Sequence, residues 1–121
     1  MKNGVLILAH GSRQPSTEET LERIAALVRE KLPGTAIETA FMQFSEKNIA
    51  AGLTALIERG ADEIAVVPYF LFDGVHIHED IPAELAAFIQ KNPGVKITLG
   101  KTLGADERLA EILADRVREA I

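Results

Sequence analysis

Ile64-Ala65-Val66-Val67-Pro68-Tyr69-Phe70-Leu71-Phe72-Asp73-Gly74-Val75-His76-Ile77-His78-Glu79-Asp80-Ile81-Pro82 is the stretch that decides the fold. Its first four residues are apolar without interruption, the pattern of a strand covered on both faces of a sheet. Its last residue, Pro82, suits the first turn of a helix, where a missing N–H costs no hydrogen bond. Between the two, Tyr69-Phe70-Leu71-Phe72 leads into Gly74, a residue that lets backbone turn or approach a ligand closely. His76 and His78 follow, beside Glu79 and Asp80. The segment reads as a hydrophobic platform with metal-capable nitrogens at its edge, or as a strand-to-helix loop with core aromatics and solvated histidines. The remaining histidine, His10, separates these readings.

Working towards the N-terminus, Val5-Leu6-Ile7-Leu8-Ala9 is a second run without a polar residue, and it ends at His10-Gly11-Ser12-Arg13. Ser16 and Glu19 have the spacing of a capping box, and Leu21, Ile24, Ala25, Val28 and Leu32 share one helical face. Pro33-Gly34 stops that helix. Ala36 to Met42 alternates polar with apolar residues, which predicts a less completely covered strand at a sheet edge. After Gln43-Phe44-Ser45-Glu46, a helix carrying Ile49, Leu53, Leu56 and Ile57 closes at Gly60, where a left-handed cap is favoured. On the C-terminal side, Ile81, Leu85, Phe88 and Ile89 form the next helical stripe, ended by Asn92-Pro93-Gly94. Val95 to Leu99 alternates like the second strand, and Leu109, Ile112, Leu113 and Val117 mark a last helix.

Strand and helix alternate four times, so the sheet is expected to be parallel, with right-handed crossovers and helices on both faces. Placing the all-apolar strands centrally and the alternating ones at the edges gives a three-layer, flavodoxin-like α/β sandwich of strand order 2-1-3-4, one domain over residues 1–121. The ligand crevice of such a sheet lies beyond the carboxyl ends of the strands, where the winding reverses, here between the first and third strands. His10 ends one of these and the loop bearing His76 and His78 follows the other, so the histidines converge there. In an extended segment His76 and His78 point to opposite sides, and only one of them faces the crevice.

Composition narrows the chemistry. The 121 residues suffice for one hydrophobic core, and 47% hydrophobic with 26% charged residues is ordinary globular usage. A formal charge of -5 and the lack of any basic run argue against nucleic acid or an anionic membrane as partner. The apolar run at Val5 to Ala9 is too short for a signal peptide or a membrane span, and we expect a cytoplasmic protein. With no cysteine, a metal would be held by histidine, carboxylate or backbone oxygen in an open, exchangeable site. Paired neutral imidazoles suit iron, cobalt, nickel or zinc, and they also accept protons near neutral pH. The loop His10 to Pro15 lacks the glycine-rich pattern of nucleotide-binding folds, and the third strand ends without a phosphoacceptor aspartate.

The remaining pattern resembles the small CbiX-type sirohydrochlorin chelatases, relatives of anaerobic cobalt chelatases and of ferrochelatase. It is carried by His10-Gly11-Ser12-Arg13, Phe41-Met42-Gln43-Phe44-Ser45-Glu46, Val67-Pro68-Tyr69-Phe70-Leu71, Gly74-Val75-His76 and Asp80-Ile81-Pro82. The resemblance implies a chelatase-like half-domain that inserts a divalent metal, cobalt before nickel or iron, into sirohydrochlorin, with no organic cofactor. His10 and His76 would be the metal-binding and proton-accepting pair. Phe70, Leu71 and Phe72 would hold the macrocycle, with Ser12, Arg13, Gln43, Gly74 and Val75 around it. Relatives often have glutamate at Gln43 and proline at Lys47, so a carboxylate is missing here, for which Glu46, Glu79 and Asp80 are candidate substitutes. A metal or tetrapyrrole carrier would use the same crevice, and a non-catalytic interaction domain would bind neither ligand. Because one small domain offers a flat macrocycle a single wall, we expect a homodimer sharing its site, with Tyr69 to Phe72 at the seam.

Overall fold

The computed structural model describes residues 2–121. Four parallel strands, β1 (Asn3–Ala9), β2 (Ala36–Phe41), β3 (Glu63–Pro68) and β4 (Lys96–Leu99), form one sheet in the order β2-β1-β3-β4. The helices are α1 (Pro15–Lys31), α2 (Ile49–Glu58), α3 (Ile81–Lys91) and α4 (Glu107–Ala120), and a single π-type turn spans His76–Asp80. Among the described residues no helix is long and apolar enough to cross a membrane.

The expected order of strands follows from β1, which pairs on both sides; Leu6 lies opposite Glu38 of β2 and Val66 of β3. Alternate side chains of the sheet feed two cores. Ile7, Ala9, Ile37 and Phe41 pack with Leu21 and Ala25 of α1 on one face. Leu6, Leu8, Ala40, Ile64 and Val66 pack with Leu53 and Leu56 of α2 and Ile81 and Leu85 of α3 on the other. Leu6, Leu8, Leu53 and Leu56 are completely buried, each worth about 1.5–3 kcal/mol relative to exposure.

Four local expectations change. The capping box does not form, because α1 begins at Pro15 with Gln14 as its cap, two residues before a cap at Ser16, so Ser16 already lies inside the first turn. The edge strand β2 is covered on both faces despite its alternation. Its polar residues are absorbed by partners: Thr39 donates to Glu22 at 2.6 Å, and Glu38 pairs with Arg59 at 2.7 Å. Conversely β3, apolar throughout its middle, has Ile64 and Val66 buried but Ala65 and Val67 only half-buried. Finally, the apolar stripe of α4 contributes no buried residue. The left-handed cap at Gly60 is present, with φ +96°.

Candidate functional site

The crevice is assembled by two loops that leave neighbouring central strands. Tyr69 N–H donates to the Leu8 carbonyl at 2.7 Å, extending the β1–β3 ladder one step past the end of β3. That step sets Phe70 beside His10, and their rings stack with centroids 4.1 Å apart and planes within 3°. Beyond Gly74 the chain coils: both Ile77 N–H and His78 N–H donate to the Gly74 carbonyl at 3.1 Å. This turn brings His76 edge-on to His10, ring centroids 5.1 Å apart at 73°. One turn further, an Asp80 carboxylate oxygen lies 2.7 Å from His76 Nδ1. An ionised carboxylate only accepts, so Nδ1–H is the donor and the lone pair of His76 is left on Nε2.

The electrostatics favour neutral imidazole at His10. One face of its ring is sealed against Phe70, and this burial, followed by the neighbouring His76, lowers its pKa from the ordinary 6.5. A neutral ring has a lone pair for a metal ion or a proton. Among the described residues no three histidine, cysteine, aspartate or glutamate side chains converge closely enough to hold a metal. One copy of the chain therefore offers two imidazoles, fewer than the four donors of a closed structural site.

Of the expected site residues, His10, Phe70, Leu71, Phe72, Gly74 and His76 line one open hollow of about 430 Å³. Phe70 is only 7% exposed and forms the floor beneath His10, so it does not present a free stacking face; Phe72, 80% exposed, does, and Leu71, 52% exposed, adds aliphatic surface beside it. Val75 is exposed and does not line the hollow. Gln43 reaches His10 through backbone, its N–H donating to the His10 carbonyl at 3.1 Å. Gly11 makes that approach possible, since its φ is +89° and a Cβ there would sit 2.2 Å from the Gln43 carbonyl oxygen. Ser12 turns into its own loop, accepting from Gln14 N–H at 3.0 Å and bonding the Thr17 hydroxyl. Arg13 lies 4.9 Å over the ring of Phe44.

His78 is exposed and stays outside the hollow. The expectation that it diverges from His76 holds, but its cause is different: the segment is helical, and residues two apart on a helix do not share a side. Of the candidate carboxylates, Asp80 is the one in contact with an imidazole, a contact that its spacing of four residues from His76 already permits. Phe44 was without a role in the sequence. It is the one non-glycine residue with positive φ, +59°, among those described, and nothing in composition or periodicity marks it.

Fold and site together define an open, parallel α/β protein with paired imidazoles at the switch point of its sheet. The chain belongs to the CbiX family, whose profile matches residues 4–120. It is 35% identical to the sirohydrochlorin cobaltochelatase of Methanococcoides burtonii, over 99% of this chain and 98% of that protein. It is 32% identical to the sirohydrochlorin ferrochelatase of Priestia megaterium, over 97% of this chain but only 44% of that one. Among solved structures, the sirohydrochlorin chelatase SirB from Bacillus subtilis subspecies spizizenii in complex with cobalt superposes with a TM-score of 0.91 at 29% identity. The match covers 98% of this chain and 51% of SirB, so the chain spans about half the length of that relative.

Proposed function

We propose that this protein inserts a divalent metal ion into sirohydrochlorin in the cytoplasm, with Co2+ favoured over Ni2+ or Fe2+, and that His10 and His76 form its reactive pair. The observation that carries this reading is the edge-on approach of the two imidazoles, 5.1 Å apart, at the mouths of the two central strands. Insertion replaces two pyrrole N–H protons by one metal ion, so the site must both present the metal and take up two protons. Two neutral imidazoles do both, and a two-donor set releases its metal more readily than a closed four-donor cage. Asp80 holds the tautomer of His76 and stabilises the imidazolium formed when that ring accepts a proton. Exposed Leu71 and Phe72 give the macrocycle an apolar face. The homodimer belongs to this reading, because a second copy supplies the opposite wall for a flat macrocycle.

The test is an anaerobic assay of sirohydrochlorin with Co2+, Ni2+ and Fe2+ in turn, followed by the change in macrocycle absorption. Many metallated products per chain, fastest with Co2+, are expected. At most one product per chain with every metal would reduce the protein to a carrier.

A further inference from the structure

Phe44 is held in a conformation that its own side chain disfavours. Its φ of +59° lies in the left-handed region, where a bulky residue is strained. The surrounding backbone enforces this. Met42 N–H donates to the Ala9 carbonyl at 3.0 Å and Gln43 N–H to the His10 carbonyl at 3.1 Å, so the chain leaving β2 is fastened to the end of β1. Phe41 N–H donates to the Lys47 carbonyl at 2.7 Å, which closes residues 42–46 back onto the end of β2. Between these ties Phe44 is left half in solvent, 52% exposed. Backbone strain that the neighbours over-determine in this way collects where a protein meets a ligand.

The ring has one occupant, the guanidinium of Arg13, which comes from the loop after β1. Arg29, Arg59, Arg108, Arg116 and Arg118 each pair with a carboxylate. Arg13 forms no ion pair among the described residues; it is exposed and rests on Phe44. An exposed cation–π contact is worth less than the strain of a bulky left-handed residue, so folding stability does not account for the arrangement. What it provides is a guanidinium whose place is fixed and whose N–H groups are unspent.

We propose that Phe44 is a positioning residue, whose strained ring holds the Arg13 guanidinium at the crevice rim to bind a peripheral carboxylate of an anionic macrocycle. The inference rests on the preceding reading for the place of that macrocycle over His10 and His76. Strand β2 is the neighbour of β1, and neighbouring strands are about 4.8 Å apart. A tetrapyrrole centred on the two imidazoles is wider than that spacing, so its edge reaches the loop after β2 while Leu71 and Phe72 meet it on the β3 side. A chain of net charge -5 repels a polycarboxylate at long range, and an arginine without an ion pair supplies the local attraction. The planar fork of Arg13 can donate two N–H groups to one carboxylate, and a guanidinium already seated on a ring loses less freedom on binding.

The probe is uroporphyrin, a metal-free polycarboxylated tetrapyrrole, titrated by fluorescence so that binding is read without metal insertion. Phe44→Ala and Arg13→Ala are each expected to weaken binding at least about tenfold, the worth of a hydrogen bond to a charged group. The double variant Arg13→Ala/Phe44→Ala should lose no more than Arg13→Ala alone, because Phe44 acts through the guanidinium. Phe44→Tyr keeps the ring and should bind like the wild type. Phe44→Gly separates binding from folding: it should raise the urea midpoint by relieving the left-handed residue, and still lose the tenfold in affinity. In the insertion assay the effect of Phe44→Ala should fall on KM, with kcat changed by no more than about twofold. Wild-type affinity in Phe44→Ala or Phe44→Gly, or additive losses in the double variant, overturns the inference. A wild type that ignores uroporphyrin overturns it too, while turnover of sirohydrochlorin by the same protein keeps the functional reading. The expected binding pattern in a protein that metallates nothing has the opposite meaning, sustaining the role of Phe44 and removing insertion.

Discussion

At the scale of single residues, the pair His10 and His76 can be separated from the bystander His78. His10→Ala and His76→Ala should each lower the insertion rate by about 10²-fold or more, the usual worth of a positioned acid–base group. Circular dichroism should be unchanged, since both residues follow strand ends and lie outside the two buried clusters. His78→Ala, an exposed substitution, should leave the rate within about twofold. Wild-type rates for both of the first two variants would remove them from the site. The acid–base state of His10 gives a separate check. Its lowered pKa means that the folded protein binds fewer protons than the unfolded chain below the ordinary 6.5. Its contribution to stability is therefore complete above that pH and is lost as the pH falls beneath it. Proton NMR of the metal-free protein should show His10 titrating with a midpoint below 6.5, moving upward in His76→Ala as the neighbouring ring is removed. A midpoint at or above 6.5 in the wild type would contradict the sealed ring face.

At the scale of elements, the site depends on two close approaches of backbone. Gly11→Ala places a Cβ 2.2 Å from the Gln43 carbonyl oxygen and strains a left-handed residue, at about 1–2 kcal/mol for the backbone alone. Urea unfolding should show at least that loss, together with reduced activity, because the His10 loop must move. Helix caps differ in a way that the sequence did not reveal. Asn48 caps α2, its side chain accepting from Ala51 N–H at 2.8 Å, so Asn48→Ala should cost about 1 kcal/mol. Ser16 makes no capping bond in α1, and Ser16→Ala should be close to neutral by the same urea titration. Equal losses at the two positions would show that the Ser16 box forms after all.

At the scale of the whole molecule, the site of one copy is open and two-donor, and Leu71 and Phe72 remain exposed beside it. If two copies complete one site, specific activity should fall on dilution in step with the molar mass measured by light scattering. Full specific activity retained by a monomer would place the entire site within one chain. A fall in activity on dilution would bear on relatives such as SirB, of which this chain covers 51%: the second half of such a chain would stand where the proposed second copy stands.

The sequence by itself determined the element order, the parallel sheet and its 2-1-3-4 order, because uninterrupted apolar runs in Val5–Ala9 and Ile64–Val67 must be flanked on both sides. It also determined which loops meet at the switch point, and hence that His10 and His76 approach, since topology alone carries the ends of the first and third strands together. Tertiary structure decided the rest. Alternation in β2 foretold exposure, yet Glu22 and Arg59 satisfy its polar groups and allow both faces to be covered. The stacking of Phe70 under His10 and the helical turn that hands His76 to Asp80 depend on backbone hydrogen bonds between loops distant in sequence, which no periodicity encodes. The fate of α4 is likewise set by two linker hydrogen bonds at Leu103 and Gly104: an amphipathic stripe states that a helix must be covered, and only the path of the chain states by what.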